Sequence, residues 1–156
     1  AGIHIELKAG QLSNAKEYPP LQVAHITPQP VSVVTLYPGI SADVIKNMAA
    51  APVRALIIKS YGVGNAPQAP ELLAALTEEA ERGTVIVNCT QCFKGKVNMG
   101  GYATGHALQQ CGVSSGFDMT LEAALTKLHY LLSKDLSSDE VRTLVMQNLR
   151  GELSAS

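Results

Sequence analysis

The residues best placed to do chemistry lie between Pro52 and Pro70, in PVRALIIKSYGVGNAPQAP. The apolar run from Ala55 to Ile58, bounded by Pro52 and by the polar, glycine-bearing SYGVGN, reads as a buried parallel strand followed by its loop. Open α/β sheets bind ligands at the carboxyl ends of their strands, which is where Gly62, Val63, Gly64 and Asn65 fall. A tight turn accounts for the two glycines. It does not account for Asn65, whose amide can bind a small polar ligand.

Two nucleotide motifs fail here on specific residues. A dinucleotide fingerprint needs GxGxxG, and after Gly62 and Gly64 the third position is Pro67. A P-loop needs GK[ST], and Gly95-Lys96-Val97 lacks the hydroxyl that would bind magnesium. Cys89-Thr90-Gln91-Cys92 has CxxC spacing, but neither a second CxxC nor HxxxH accompanies it, which argues against zinc. The better reading is a small buried cysteine at a strand end and a second one in a loop, with redox chemistry the weaker choice. His4, His25, His106 and His129 are scattered and read as satisfied core or edge histidines. No nucleophile elbow or comparable arrangement occurs, so the pattern describes a ligand loop without a complete active site and without a cofactor.

The elements that must position the loop follow from periodicity. Pro70 suits a first helical turn, and Leu72, Leu73, Leu76 and Ala80 share a face before Gly83 stops the helix. VSVVTLYPG from Val31 and TVIVNCTQC from Thr84 are further buried strands, the second turning polar at Asn88. Ser41 is a cap for ADVIKNMAA, with Asp43 favourably placed in the first turn. A helix from about Tyr102 ends at Gly112, and GVSSGFD is a weak fourth strand or loop. Thr120 caps LEAALTKLHYLLSKD, and Ser137 with Glu140 forms a capping box opening a last helix that closes near Gly151. Upstream, GIHIEL and LQVAHI alternate like half-exposed strands of a marginal hairpin.

The expected fold is therefore α/β: a three-layer domain over 31–156 with a small parallel sheet of three to four strands flanked by helices, preceded by a hairpin and connector at 1–30.

The chain has 156 residues, enough for a domain that buries roughly two thirds of its unfolded surface. With 12 basic and 13 acidic residues the net charge is −1, and no basic run points to nucleic acid or an anionic membrane. The 46% hydrophobic and 16% charged composition hints at apolar surface covered by a partner. No apolar run approaches the roughly 18 residues of a spanning helix. Three cysteines without a signal-like start favour a reducing, cytoplasmic compartment. The chain opens on Ala1, which leads us to expect sequence, even a domain, upstream.

At ITPQP, Val33 to Ala42, SYGVGNAP, TQC and KVNMGGYATGHAL, continuing through LTKLHYLLS and QNLRGEL, the sequence resembles the C-terminal domain of bacterial type I, cytoplasmic L-asparaginases. That resemblance implies a two-domain polypeptide hydrolysing L-asparagine to L-aspartate and ammonia, its threonine nucleophile in a TGGT motif of an N-terminal domain this chain lacks. It also implies a homo-dimer or tetramer in which Gly62, Val63, Gly64 and Asn65, with Asn98 a less direct match, complete a neighbour's substrate site. Two positions beyond Asn65, where periplasmic relatives have an asparagine, stands Pro67. A second, activating asparagine site is implied at strand ends matching Lys59 and Cys92. Lysine there is a point charge where arginine would clamp a carboxylate bidentately. A tRNA-dependent amidotransferase subunit and a stand-alone binding or assembly domain are the alternatives.

Overall fold

The computed structural model describes residues 20–100 and 103–154. Its elements alternate as expected: β1 (Val31–Thr35), α1 (Ala42–Ala49), β2 (Ala55–Ser60), α2 (Pro70–Glu81), β3 (Val85–Thr90), α3 (Ala103–Gln110), β4 (Ser114–Ser115), α4 (Leu121–Leu132) and α5 (Ser138–Val145). The four strands form a parallel sheet in the order β1-β2-β3-β4, with β4 only two residues long.

Successive side chains of a strand point to opposite faces, so the apolar runs of β2 and β3 supply two cores. Leu56, Ile58 and Ile86 pack with Ile45, Leu72, Leu76 and Leu108 on the α1–α3 side. Ala55, Ile57, Val85 and Val87 pack with Leu128, Leu131, Val141 and Val145 on the α4–α5 side. The result is the three-layer α/β arrangement. β1 lies at the sheet edge, and Val31 and Val33 are only half-buried, a weaker burial than its apolar sequence suggests.

Local signals behave as their chemistry dictates. Pro70 occupies the first turn of α2, which buries Leu72, Ala75, Leu76 and Ala80, and Gly83 at φ +103° turns the chain out. The Thr120 hydroxyl accepts from the Ala123 N–H, and Ser137 with Glu140 makes both bonds of a capping box. Ser41 stands at the start of α1 in extended conformation, but its side chain makes no cap hydrogen bond.

Two expectations need correction. Leu21–Ile26 is not a strand: residues 20–30 adopt neither strand nor helix, and Leu21 and Val23 are 91% and 88% exposed. Alternation alone does not form a strand without an edge to pair with. The connector is instead tied to α4, Thr27 N–H donating to Ser133 Oγ at 3.0 Å and Gln29 N–H to His129 Nδ1 at 3.0 Å. GIHIEL lies outside the described residues. The last helix stops at Val145, short of Gly151, because the tail folds back. Asn148 Oδ1 accepts from Gly151 N–H at 2.7 Å, and Glu152 accepts from the N–H groups of Leu149 and Arg150 at 3.0 and 2.6 Å.

Glu152 also meets Lys127 of α4, Nζ to Oε1 2.5 Å, with side chains 15% and 4% exposed. Burial pushes the Glu152 carboxyl up, but the Lys127 bond and the N–H groups of Leu149 and Arg150 outweigh it and hold it at about 2, against an ordinary 4.5. A depressed carboxyl stabilises the fold fully above pH 4.5 and loses that contribution as pH falls toward 2. Glu152→Leu strands a buried ammonium and should cost about 3 kcal/mol by chemical denaturation, whereas Lys127→Met with Glu152→Leu, which leaves no buried charge and loses only the bonds to Leu149, Arg150 and Gln147, should cost less. The stability difference between wild type and the double variant should move against the wild type between pH 4.5 and about 2.

Candidate functional site

β2 delivers Ser60 to the carboxyl edge of the sheet, and the chain turns at once. Tyr61 and Asn65 form an antiparallel bridge, with Tyr61 N–H donating to Asn65 O and Asn65 N–H to Tyr61 O, both at 2.9 Å. Gly62 and Gly64 take φ of +49° and +108°, a region other residues enter at a cost. Gly64 is also closely packed: a Cβ there would lie 2.8 Å from Val97 Cγ1, whereas Gly62 faces open space.

Every carbonyl from Gly62 to Asn65 is tied down. Thr90 Oγ1 donates to Gly62 O at 2.5 Å, Asn98 N–H to Val63 O at 2.8 Å, Asn88 Nδ2 to Gly64 O at 3.1 Å and Tyr61 N–H to Asn65 O. Three of the four donors come from β3 and the loop beyond it. The structure thus gathers Gly62, Val63, Gly64 and Asn65 into one turn and sets Asn98 against it. Asn98 makes this contact with its main chain, and its side chain is exposed.

Lys59 and Cys92 lie on the α4 side of the same strand ends. Both line a cavity of about 230 Å³ with Thr90, Asp118, Thr120 and Glu122. Gln91 braces its floor: its N–H donates to Ser60 O at 2.9 Å and its Nε2 to Leu36 O and Lys59 O, both at 2.8 Å. At Asp118 burial raises the carboxyl, but bonds from Ser154 and the Lys96 charge lower it more. Glu122 is lowered by its own N–H, by Thr120 and by Lys59. The cavity therefore offers an ammonium beside two carboxylates held in their charged form.

Cys89 and Cys92 are free thiols in different settings, buried and exposed. Burial pushes the Cys89 thiol up to about 11, against a smaller opposing pull from Lys59, which leaves it a poor thiolate. This separation matches one buried strand cysteine and one loop cysteine, and no group of metal-binding side chains occurs among the described residues. His129 is satisfied at the edge, as its helical position suggested.

Sequence reasoning missed Asn88, Thr90 and Gln91 as parts of the site. The available signal was their polarity directly after a β-branched run.

The profile of the Glutaminase/Asparaginase C-terminal domain family matches residues 30–145. The chain belongs to that family. It is 62% identical over 134 residues to L-asparaginase 1 of Escherichia coli K12, covering 86% of this chain and 40% of that protein. The crystal structure of L-asparaginase I from Vibrio cholerae superposes with a TM-score of 0.89 at 57% identity, covering 99% of this chain and 47% of that one. A more distant relative, one of the polypeptides of the glutamyl-tRNA(Gln) amidotransferase of Pyrococcus horikoshii, is 32% identical over 124 residues, 80% of this chain and 28% of that polypeptide. The chain thus spans under half the length of these relatives and corresponds to the C-terminal part of the E. coli protein. No helix among the described residues is long and apolar enough to cross a membrane.

The two glycines of the turn should respond differently to alanine. Gly62→Ala meets only the left-handed backbone penalty, about 1 kcal/mol. Gly64→Ala adds the collision with Val97 and should cost about 3 kcal/mol, partly recovered by adding Val97→Ala; thermal denaturation of these three variants checks the order.

Proposed function

We propose that this chain is the C-terminal, assembly and active-site-completing domain of a cytoplasmic L-asparaginase. In the full-length polypeptide water hydrolyses the side-chain amide of L-asparagine, giving L-aspartate and ammonia, with a threonine nucleophile outside this segment. The observation that carries this reading is the close relation to E. coli L-asparaginase 1 along most of the chain, with the pinned turn at Gly62–Asn65 as its structural counterpart. A turn held at every carbonyl, at three of them from one side, is preorganised to meet a ligand from the other. Gly62, Val63, Gly64, Asn65 and Asn98 then contribute to the substrate site of a neighbouring protomer in a homo-dimer or tetramer. Exposed Val63 and Tyr37 and fully exposed Phe93 supply apolar surface for that contact.

The cavity at Lys59 and Cys92 suits a second molecule of a small zwitterion. Lys59 can face its carboxylate, while Asp118 and Glu122 can face its ammonium. This supports an activating asparagine site, and predicts sigmoidal asparagine kinetics in the full-length enzyme that Lys59→Ala makes hyperbolic. Hyperbolic kinetics unaffected by Lys59→Ala would remove the second site.

The decisive measurement is ammonia release from asparagine by the chain alone and by the full-length polypeptide. The full-length protein should be active and the chain silent, and Asn65→Ala should lower kcat/KM at least about 10-fold in the former. Glutamine deamidation only in the presence of charged tRNA would favour the amidotransferase alternative, and silence in both forms a binding or assembly domain.

A further inference from the structure

Asn88 is the buried polar residue beneath the turn that its strand alone does not require. It is wholly buried in β3, paired to Ile58 across the sheet and to Ser115 on the other side. Its main-chain carbonyl accepts from Gly116 N–H at 2.8 Å, so the ladder holds the backbone whatever the side chain. The amide itself makes a single bond, Nδ2 to Gly64 O at 3.1 Å, and its Oδ1 has no hydrogen-bond partner. A buried acceptor left without a partner opposes folding. An apolar side chain of the same branching would avoid that cost, so the strand itself does not explain an asparagine here.

What the amide does is hold Gly64. The other tethers of the turn differ in kind: those to Val63 O and Asn65 O come from main-chain N–H groups, and Thr90 sits at the rim. Asn88 is thus the buried side chain that fixes the turn from below. The same atom stands 3.3 Å, and Val97 Cγ1 2.8 Å, from where a Gly64 Cβ would lie, so the bond is made at a position closed to any side chain.

We infer that Asn88 is a positioning residue for substrate, acting through Gly64 on the placement of Asn65. This rests on the proposed role of the turn in a neighbour's substrate site. The amide touches no substrate in this scheme; its loss lets the turn sample other positions, which weakens contacts made equally in ground and transition states. The signature is a raised KM with little change in kcat.

The test uses the full-length polypeptide with Asn88→Leu, Asn65→Ala and both together, and follows amide hydrogen exchange over 61–65 beside the kinetics. Asn88→Leu should raise KM for asparagine about 10-fold or more, leave kcat within about 3-fold, and speed exchange in the turn. In the Asn65→Ala background the same change should add less than about 2-fold, because both act through one contact. Unchanged exchange, an unchanged KM, or fully multiplicative effects would overturn the assignment. Should Asn88→Leu not fold, Asn88→Thr, too short to reach Gly64 O, takes its place; unfolding of both would show a structural requirement and overturn it equally. If wild-type polypeptide releases no ammonia, the asparaginase reading fails, and exchange over 61–65 alone decides whether Asn88 fixes the turn.

Discussion

The pairing of β2 with β3 is the constraint from which the rest follows. Six residues of one lie in register with six of the other, from Ala55 opposite Val85 to Ser60 opposite Thr90. Both strands are interior to the sheet, and helices cover both faces, so each side chain from Ala55 to Ile58 and from Val85 to Asn88 is buried. Such a pair admits polar groups only where a partner waits or where the strands run out. They run out together, since the register brings Ser60 and Thr90 level. The turn after β2 is therefore delivered beside the loop after β3, and the donors of one reach the carbonyls of the other.

The same register separates two kinds of surface at that edge. Alternation sends Ile58 and Asn88 toward α1–α3 and Lys59 and Cys89 toward α4–α5. The Gly62–Asn65 turn is held on the first side by Asn88, and the Lys59 cavity opens on the second, under the start of α4. Two surfaces of different chemistry thus arise from adjacent residues.

What the sequence disclosed was local. Ala55 to Ile58, the Pro70 and Gly83 boundaries, the Thr120 cap and the Ser137–Glu140 box each act within a few residues, so their types were enough. The turn was legible because Gly62 and Gly64 carry positive φ. Long-range dependence was not. Lys127 looks in sequence like one charged residue on an amphipathic helix, yet it is among the most buried, because Glu152 returns to it from a tail that periodicity assigned to helix. Leu21 to Ile26 failed in the opposite sense, since its alternation is real and the edge it needs is not among the described residues. Asn88 was legible as polar, but its work depends on Gly64, which only the β2–β3 register brings near.

Thr90 joins the turn to the cavity rim. Its hydroxyl donates its one proton to Gly62 O and accepts from Cys92 N–H at 3.0 Å, so the turn and the cavity rim are bonded in series through a single oxygen. Bonds in series polarise one another, and loss of one weakens the next. The effect is bounded, because Asn98, Asn88 and Tyr61 hold the other three carbonyls independently of Cys92. A shift at the cavity rim can therefore loosen the start of the turn at Gly62 while Gly64 and Asn65 stay fixed. The turn is in this sense two parts: a start at Gly62, bonded to the cavity rim through Thr90, and an end where the buried amide holds Gly64 and the Tyr61 main chain holds Asn65.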